Sequence, residues 1–323
     1  MSSHSGKSEY QLRVGEKLAR ELGPLVLGCL DDPEVIEIML NPDGVLWRER
    51  TGHAMERIGE MPPHQAEAAM ATIAAIHKTT ITRDNPILEC ELPYDGSRFQ
   101  GLVPPVVAAP SFCVRKHASR IFTLGDYVSA GTMTARQSGL IRQAALDHKN
   151  ILVVGGTGSG KTTLVNAIIH LISEEMRHER LLILEDTAEI KCASPNHVFK
   201  RSTPEIGTQL LLRSSLRYRP DRIFVGEVRG GEALELLMAW NTGHPGGVAT
   251  IHANSAKGGL TRLERLVALV SAAPMQNTIA EAVDFIVFIA KVSKTVNPSG
   301  RQVEELLRVI DYDGTNYITQ LEE

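Results

Sequence analysis

The sequence predicts an α/β protein with a smaller α+β domain at residues 1–120, a linker at 121–135 and a larger domain at 136–323. The length of 323 residues corresponds to two domains at about 150 residues each. The linker mixes serine, threonine and glycine, and after it short apolar runs alternate with helical segments. This alternation is typical of a mostly parallel sheet that is covered by helices on both faces.

The smaller domain is predicted to begin with a helical segment, because apolar residues recur at helical spacing from Glu9 until the pattern stops by Asp31-Asp32-Pro33. A break in this helix is expected at Gly23-Pro24. Two apolar runs, 35–40 and 45–49, flank a Pro-Asp-Gly turn and predict a β-hairpin. A further helix is predicted at 64–78, and further strands at 87–92, 98–103 and 112–116.

The larger domain is predicted to start with a helix at about 136–147, which leads into an apolar strand at 151–154. Further strands are predicted at 181–185, 222–225, 247–251 and 284–290. The helices between them are predicted at 161–173, 206–218, 231–240 and 258–270. The order of these elements again favours a parallel sheet.

The composition excludes several classes of protein. With 43% hydrophobic and 22% charged residues, the chain is neither collagen-like nor wholly disordered. The 34 basic and 38 acidic residues give a net charge of −4, so we expect no stable, sequence-specific binding to nucleic acid. The four cysteines form no C-x-x-C pair, which argues against structural zinc and a disulfide framework. No apolar run approaches the ~20 residues that span a bilayer, so a cytoplasmic location is expected.

A phosphate-binding loop follows the first strand of the larger domain. The segment GGTGSGKT at 155–162 fits the pattern G-x-x-x-x-G-K-[ST], between a strand and a helix. Glycines let successive N–H groups turn toward a phosphate chain, and the helix N-terminus adds a favourable dipole. Lys161 can bridge the β- and γ-phosphates of ATP, and the Thr162 hydroxyl can bind Mg²⁺. The predicted nucleotide-binding residues are Gly155, Gly156, Thr157, Gly158, Ser159, Gly160, Lys161, Thr162 and Thr163.

Carboxylates that could serve hydrolysis follow two other strands. The strand 222–225 ends in Gly226-Glu227, where a Walker B strand would place a metal-binding Asp at position 226. Glu227 is therefore the candidate for activating water. The metal needs another carboxylate, and Glu185 and Asp186 at the end of strand 181–185 are the candidates.

A histidine ends the strand 247–251. His252 could hydrogen-bond the γ-phosphate or Glu227 and sense hydrolysis, although a histidine at a strand end is more often simply packed. Arg98 and Arg115 lie on successive predicted strands of the smaller domain. An arginine from that domain that reached the γ-phosphate would couple hydrolysis to domain movement.

Four segments in this order, GGTGSGKTTL, LEDTAEI, RPDRIFVGEVRG and GHPGGVATIHANSA, resemble the Walker A, Asp box, Walker B and His box of type II/type IV secretion ATPases. The resemblance covers residues 30–290 and leaves about thirty C-terminal residues with little family signature. It implies a RecA-like P-loop NTPase domain, a hexameric ring and ATP bound between the domains. It further implies that Arg98 and Arg115 contact the nucleotide phosphates, that Glu227 is catalytic and that His252 belongs to the His box.

Within this family, the segment VIEIMLNPDGVLW at 35–47 and the short chain resemble the conjugal-transfer branch. The predicted function is therefore Mg²⁺-dependent ATP hydrolysis that powers a conjugative type IV secretion apparatus. Glu227, Lys161 and His252 are the predicted catalytic residues, and Thr162, Glu185 and Asp186 the predicted metal ligands. The implied partners are further copies of the chain and inner-membrane components of the machinery, with only peripheral membrane association. Two alternatives stay open, namely a nucleic-acid-translocating motor and a nucleotide-gated scaffold with little turnover.

Overall fold

The computed structural model describes residues 9–50, 52–116, 121–203 and 205–322. The chain divides into two compact units, Met1–Ser119 and Arg120–Glu323. Residues 117–120, where the first predicted domain ends, lie outside the described residues.

The first unit combines two helices with an antiparallel sheet. Its described elements are α1 (Glu9–Asp31), β1 (Val35–Leu40), β2 (Val45–Arg50), β3 (Glu56–Glu60), α2 (Pro63–Ile76), β4 (Ile87–Glu91), β5 (Arg98–Leu102) and β6 (Ser111–Arg115). The strands pair in the order β3-β2-β1-β6-β5-β4. Helix α1 bends at Gly23, whose φ of 76° is left-handed, so the break expected at Gly23-Pro24 is confirmed.

Strands β5 and β6 show how the sheet of the first unit separates its core from its polar face. Phe99 on β5 and Val114 on β6 are buried in the core that the strands share with α1 and α2. Successive side chains on a strand point to opposite faces, so the neighbouring Arg98 and Arg115 are exposed. The sheet therefore presents these two arginines to solvent.

The second unit contains a mixed but mostly parallel sheet. Its described elements are α3 (Leu124–Ser129), α4 (Ala135–Leu146), β7 (Ile151–Val154), α5 (Lys161–Glu175), β8 (Leu181–Glu185), β9 (His197–Arg201), α6 (Thr208–Ser215), β10 (Arg222–Val225), α7 (Glu232–Asn241), β11 (Val248–Ile251), α8 (Ala256–Val267), α9 (Gln276–Ala282), β12 (Phe285–Lys291), β13 (Arg301–Tyr312) and β14 (Tyr317–Leu321). Within the described residues the strand order is β14-β13-β12-β7-β11-β10-β8-β9. Strands β12 through β9 in this order are parallel, and β13 and β14 add an antiparallel edge.

Helices cover both faces of this sheet. Along β7, Leu152 and Val154 pack into the core that includes α7 and α8, whereas Ile151 and Val153 pack into the core that includes α4 and α5. A strand that is buried on both faces consists of consecutive apolar residues. The run ILVV at 151–154 therefore predicts such a strand. The predicted fold class is therefore confirmed.

The parallel register brings the ends of four central strands to one edge of the sheet. Val154 of β7 pairs with Ile251 of β11, and Val225 of β10 pairs with both Ala249 of β11 and Leu184 of β8. Ligands of open α/β sheets bind at the carboxyl ends of the strands. The residues that immediately follow these four strands therefore lie at this edge of the sheet.

The predicted linker at 121–135 is wrong, because most of it is structured within the second unit. Helix α3 begins with a capping box, in which the Thr123 side chain and Asp126 exchange hydrogen bonds with each other's backbone N–H. Leu124, Tyr127 and Met133 lie in the second unit's core. The serine and threonine content that resembles a linker instead supplies helix caps.

The sequence patterns do not predict β3, β9, α9, β13 or β14. Strand β13 is twelve residues long, but charged side chains interrupt its apolar pattern, as its alternating burial shows. The hairpin with β12 nevertheless fixes it in the sheet along Phe285–Lys291. The C-terminal segment with little family signature is therefore an integral part of the second unit.

In the described part of the chain, no helix is both long and apolar enough to cross a membrane.

Candidate functional site

The loop after β7 turns tightly into α5 and encloses the Lys161 side chain. Gly158 and Gly160 adopt left-handed φ values of 68° and 98°, which other residues rarely take. The Lys161 ammonium donates to the carbonyl oxygens of Gly155 and Gly156, both at 3.0 Å. At Gly155 there is no room for a Cβ, which would stand 2.3 Å from the Ile289 carbonyl oxygen. The glycines thus allow the close backbone approach that a phosphate-binding loop requires.

A line of close polar contacts joins this loop to the carboxylate predicted to activate water. His252 Nδ1 lies 3.3 Å from Lys161 Nζ, and His252 Nε2 lies 3.0 Å from Glu227 Oε1. Because an ammonium group only donates, Nδ1 must accept from Lys161, so the Nε2 that faces Glu227 carries the proton. The structure therefore brings the three predicted catalytic residues into direct contact, and His252 contacts Glu227 as the sequence analysis allowed.

The surroundings favour a neutral histidine and a charged carboxylate in this line. Burial, together with the charge of Lys161, lowers the pKa of His252. Burial raises the pKa of Glu227, but the hydrogen bond and charge of Arg229 and the neighbouring His252 and Lys161 outweigh it and lower the pKa. At neutral pH, Glu227 is therefore ionised and is an acceptor for a water proton.

Arg229 is a member of this cluster that the sequence reasoning missed. Its Nη2 donates to Glu227 Oε2 at 2.8 Å, and its Nη1 donates to Asp186 Oδ2 at 3.0 Å. Asp186 Oδ1 in turn accepts from the hydroxyls of Ser202 and Thr208. The only sequence signal was a cation two residues after Glu227, which by itself predicts nothing. In the folded chain, Arg229 connects the Asp box to the Walker B carboxylate.

Glu185 lies beside Gly226, the position at which a Walker B strand would carry an aspartate. A Cβ on Gly226 would stand 3.5 Å from Glu185 Cβ, so an acidic side chain there would face Glu185. Glu185 Oε1 accepts hydrogen bonds from the backbone N–H groups of Glu189 and Ile190, both at 2.8 Å. The buried Oε2 has no hydrogen-bond partner among the residues that the structure describes. Burial raises the pKa of Glu185 to about 7, although the two N–H groups oppose it.

These donors fit a magnesium ion that is bound together with a nucleotide. Mg²⁺ in such sites takes one or two protein oxygens and completes its shell with phosphate oxygens and water. Among the described residues, no three His, Cys, Asp or Glu side chains are grouped so as to hold a metal by themselves. Thr162, in the first turn of α5, and the unpartnered Glu185 Oε2 are oxygen donors of the right kind. The Ser159 hydroxyl in the loop is also buried without a hydrogen-bond partner.

Arg98 and Arg115 lie in the first unit as direct cross-strand partners. Arg98 on β5 pairs with Arg115 on β6, and these two are flanked by Glu91 on β4 and Glu37 on β1. Arg115 Nε lies 4.0 Å from Glu37 Oε1. Like charges directly opposite each other are unfavourable in a sheet, and an anion bound between them removes that cost.

Comparison with known proteins bears directly on these motifs. The family model for type II/IV secretion system proteins matches residues 48–317. This chain belongs to that family. Its members are ATPases, so the chain is an ATPase that binds nucleotide.

Curated relatives place the chain near the conjugal-transfer members of the family. A probable conjugal transfer protein TrbB of Sinorhizobium fredii is 49% identical over 94% of this chain and 92% of that protein. A conjugal transfer protein TrbB of Rhizobium radiobacter is 48% identical over 95% of this chain and 94% of that protein. The X-ray structure of the Legionella pneumophila ATPase DotB shares the fold, with a TM-score of 0.63 and 18% identity over 97% of this chain and 84% of that one.

Proposed function

We propose that this chain is a Mg²⁺-dependent ATPase that powers a conjugative type IV secretion apparatus. It works as a hexameric ring, docked on inner-membrane components of that apparatus and associated with the membrane only peripherally. The observation that carries the catalytic part is the line of close contacts from Lys161 through His252 to Glu227. The conjugal-transfer part is supported by two TrbB relatives that are nearly half identical over more than nine tenths of the chain.

Phosphate binding is assigned to the glycine loop and the first turn of α5. Backbone N–H groups at a helix N-terminus attract a phosphate chain, and Lys161 adds a positive charge beside it. Lys161 is 7% exposed and already points at the loop carbonyls, so it is held in place before the phosphates arrive. Such preorganisation lowers the entropic cost of binding.

Water activation is assigned to Glu227. Its two oxygens are oriented by His252 on one side and Arg229 on the other. Because Glu227 is charged at neutral pH, it orients and polarises a water molecule at the γ-phosphate. It accepts a proton of that water as the new oxygen–phosphorus bond forms and the bond from the γ-phosphorus to the departing ADP breaks. His252 contacts both this carboxylate and Lys161. It therefore connects the lysine that binds the phosphates to the carboxylate that activates water.

The metal is assigned to Thr162 and Glu185, with Asp186 in a supporting role. Both carboxylate oxygens of Asp186 are already engaged by Arg229, Ser202 and Thr208. Glu185 has one buried oxygen without a partner, and a cation beside it would favour the charged form of this carboxyl. Bound Mg²⁺ would neutralise charge on the β- and γ-phosphates.

Arg98 and Arg115 are proposed to contact the phosphates of the nucleotide. Replacing either with alanine removes a charge-assisted hydrogen bond that stabilises the transferred phosphoryl group, so kcat/KM should fall at least about 100-fold. Steady-state ATPase assays would measure this. Arg57→Ala is a matched control, because Arg57 is an exposed arginine of the same sheet that pairs with Glu60. Unchanged turnover in both Arg98→Ala and Arg115→Ala would contradict the assignment.

The proposed function is tested by turnover and by the mass of the particle. Purified chain should hydrolyse ATP with Mg²⁺ and lose this activity in EDTA, and light scattering with ATP should give about six times the monomer mass of 35.3 kDa. A monomer with and without ATP would overturn the ring. Binding without turnover would favour the gated scaffold, and DNA-stimulated turnover with a steep salt dependence would favour the nucleic-acid motor.

A further inference from the structure

Two cations of the C-terminal hairpin lie beside the phosphate-binding loop. Lys291 is the last residue of β12 and Arg301 is the first residue of β13, and they pair directly beside the turn that joins the two strands. The motifs at 155–162 and 222–252 include neither residue, and Arg301 falls in the segment with little family signature.

Both side chains reach the two left-handed glycines of the loop. Lys291 Nζ lies 2.9 Å from the point where a Cβ on Gly158 would stand, and Arg301 Nε lies 3.3 Å from the corresponding point on Gly160. These distances place a primary ammonium and a guanidinium beside the part of the loop whose N–H groups are expected to turn toward phosphate.

The charges of these two residues are not balanced by neighbouring carboxylates. In the described part of the chain neither forms an ion pair, and the buried Arg301 Nε has no hydrogen-bond acceptor. Two cations directly opposite each other in a sheet are unfavourable, and a buried donor without an acceptor is costly. A bound anion at this place would relieve both costs.

The turn of the hairpin is anchored to the rest of the second unit by hydrogen bonds. Ser299 Oγ accepts the backbone N–H of Arg301 at 3.2 Å and lies 3.0 Å from Thr132 Oγ1. Asn297 Nδ2 donates to the Gly131 carbonyl at 2.6 Å. These contacts tie the β12–β13 turn to the segment between α3 and α4 and restrain the backbone that carries Arg301.

The strand order indicates which phosphates these cations can reach. Strand β12 flanks β7 on one side, whereas β11 and β10, which lead to His252 and Glu227, flank it on the other. Lys291 and Arg301 therefore approach the loop from the side away from the residues assigned to hydrolysis. A nucleotide whose γ-phosphate lay beside Glu227 would turn its α,β-diphosphate, which ATP and ADP share, toward that side.

We propose that Lys291 and Arg301 bind the α- and β-phosphates of the nucleotide and set the affinity for ATP and ADP alike. This inference rests on the proposed function, because it assumes that the loop binds a nucleoside triphosphate. It assigns a ligand-binding role to the C-terminal hairpin, which the sequence motifs left without one.

Nucleotide affinity and turnover in single variants test this role. Lys291→Ala and Arg301→Ala should each raise the Kd for MgADP, measured by calorimetry, about tenfold or more, since each removes a charge-assisted hydrogen bond. The KM for ATP should rise by a similar factor, while kcat stays within about twofold, because equal binding of substrate and transition state does not change kcat. Arg301→Lys should restore part of the affinity.

Lys294→Ala and Arg308→Ala are the matched controls, because they remove exposed cations from the same turn and the same strand. Thermal unfolding shows that each variant is folded. Unchanged ADP affinity in both Lys291→Ala and Arg301→Ala would overturn the inference, as would a loss of kcat with intact ADP binding. If the wild-type chain bound neither ATP nor ADP, the proposed function itself would be contradicted. If the wild-type chain bound both and the two variants bound them equally well, only the role of Lys291 and Arg301 would be contradicted.

Discussion

Replacing Glu227 with glutamine should reduce kcat for ATP hydrolysis about 10²- to 10⁴-fold, the range that a positioned general base contributes. Glutamine keeps the size of the side chain and one oxygen acceptor, so contact with His252 or Arg229 can persist. It loses the negative charge that polarises water. The Kd for MgATP should therefore stay close to that of the wild type.

Single-turnover kinetics and calorimetry would measure the two effects of Glu227→Gln separately. Glu235→Gln is the matched control, because Glu235 is a carboxylate in α7 that pairs with Arg213 and Gln209. It is not one of the residues that contact Glu227. Wild-type turnover in Glu227→Gln would show that another group activates the water. A large loss of MgATP binding would instead assign Glu227 to the nucleotide or its metal.

Replacing Lys161 with alanine should abolish measurable turnover through a loss of both binding and catalysis. A hydrogen bond to a charged group contributes about 1.5–3 kcal/mol, so the Kd for ATP should rise at least about tenfold. The ammonium also stabilises the charge that develops on the transferred phosphoryl group, which is worth about 10²–10³ in kcat for such donors. His252 additionally loses the donor to its Nδ1.

Calorimetry with MgATP and a turnover assay would measure the effect of Lys161→Ala. Lys149→Ala is a suitable control, since Lys149 precedes β7 and pairs with Asp284. Comparable melting temperatures of the two variants would show that the loss is local. Tight ATP binding in Lys161→Ala, with turnover intact, would remove the loop lysine from the proposed mechanism.

Arg229 explains why Glu227 and the Asp box act as one site. Its guanidinium bridges Glu227 and Asp186, which follow two adjacent strands, β10 and β8. Because arginine presents several donors in a fixed planar geometry, it can hold two carboxylates at once. The guanidinium is therefore a direct physical connection between the two carboxylates.

The local patterns of the sequence predicted the parts of the fold that rest on short-range physics. The apolar run 151–154, the glycine loop and the residues at strand ends follow from burial on both faces and from backbone conformation. These features located Lys161, Glu227 and His252 without a structure. They failed at 121–135, where helix caps have the composition of a linker, and at β13, where charged residues disguise the strand.

The sequence by itself determined the chemistry of the loop and the identity of the catalytic candidates, because each motif is contiguous and its spacing encodes one local conformation. Only the tertiary structure decided which side chains meet. His252 joins Lys161 to Glu227 and Arg229 joins Glu227 to Asp186 because parallel register aligns the ends of β7, β11, β10 and β8. Lys291 and Arg301 reach the loop for the same reason, since pairing between β7, β12 and β13 connects residues more than 120 positions apart in the chain.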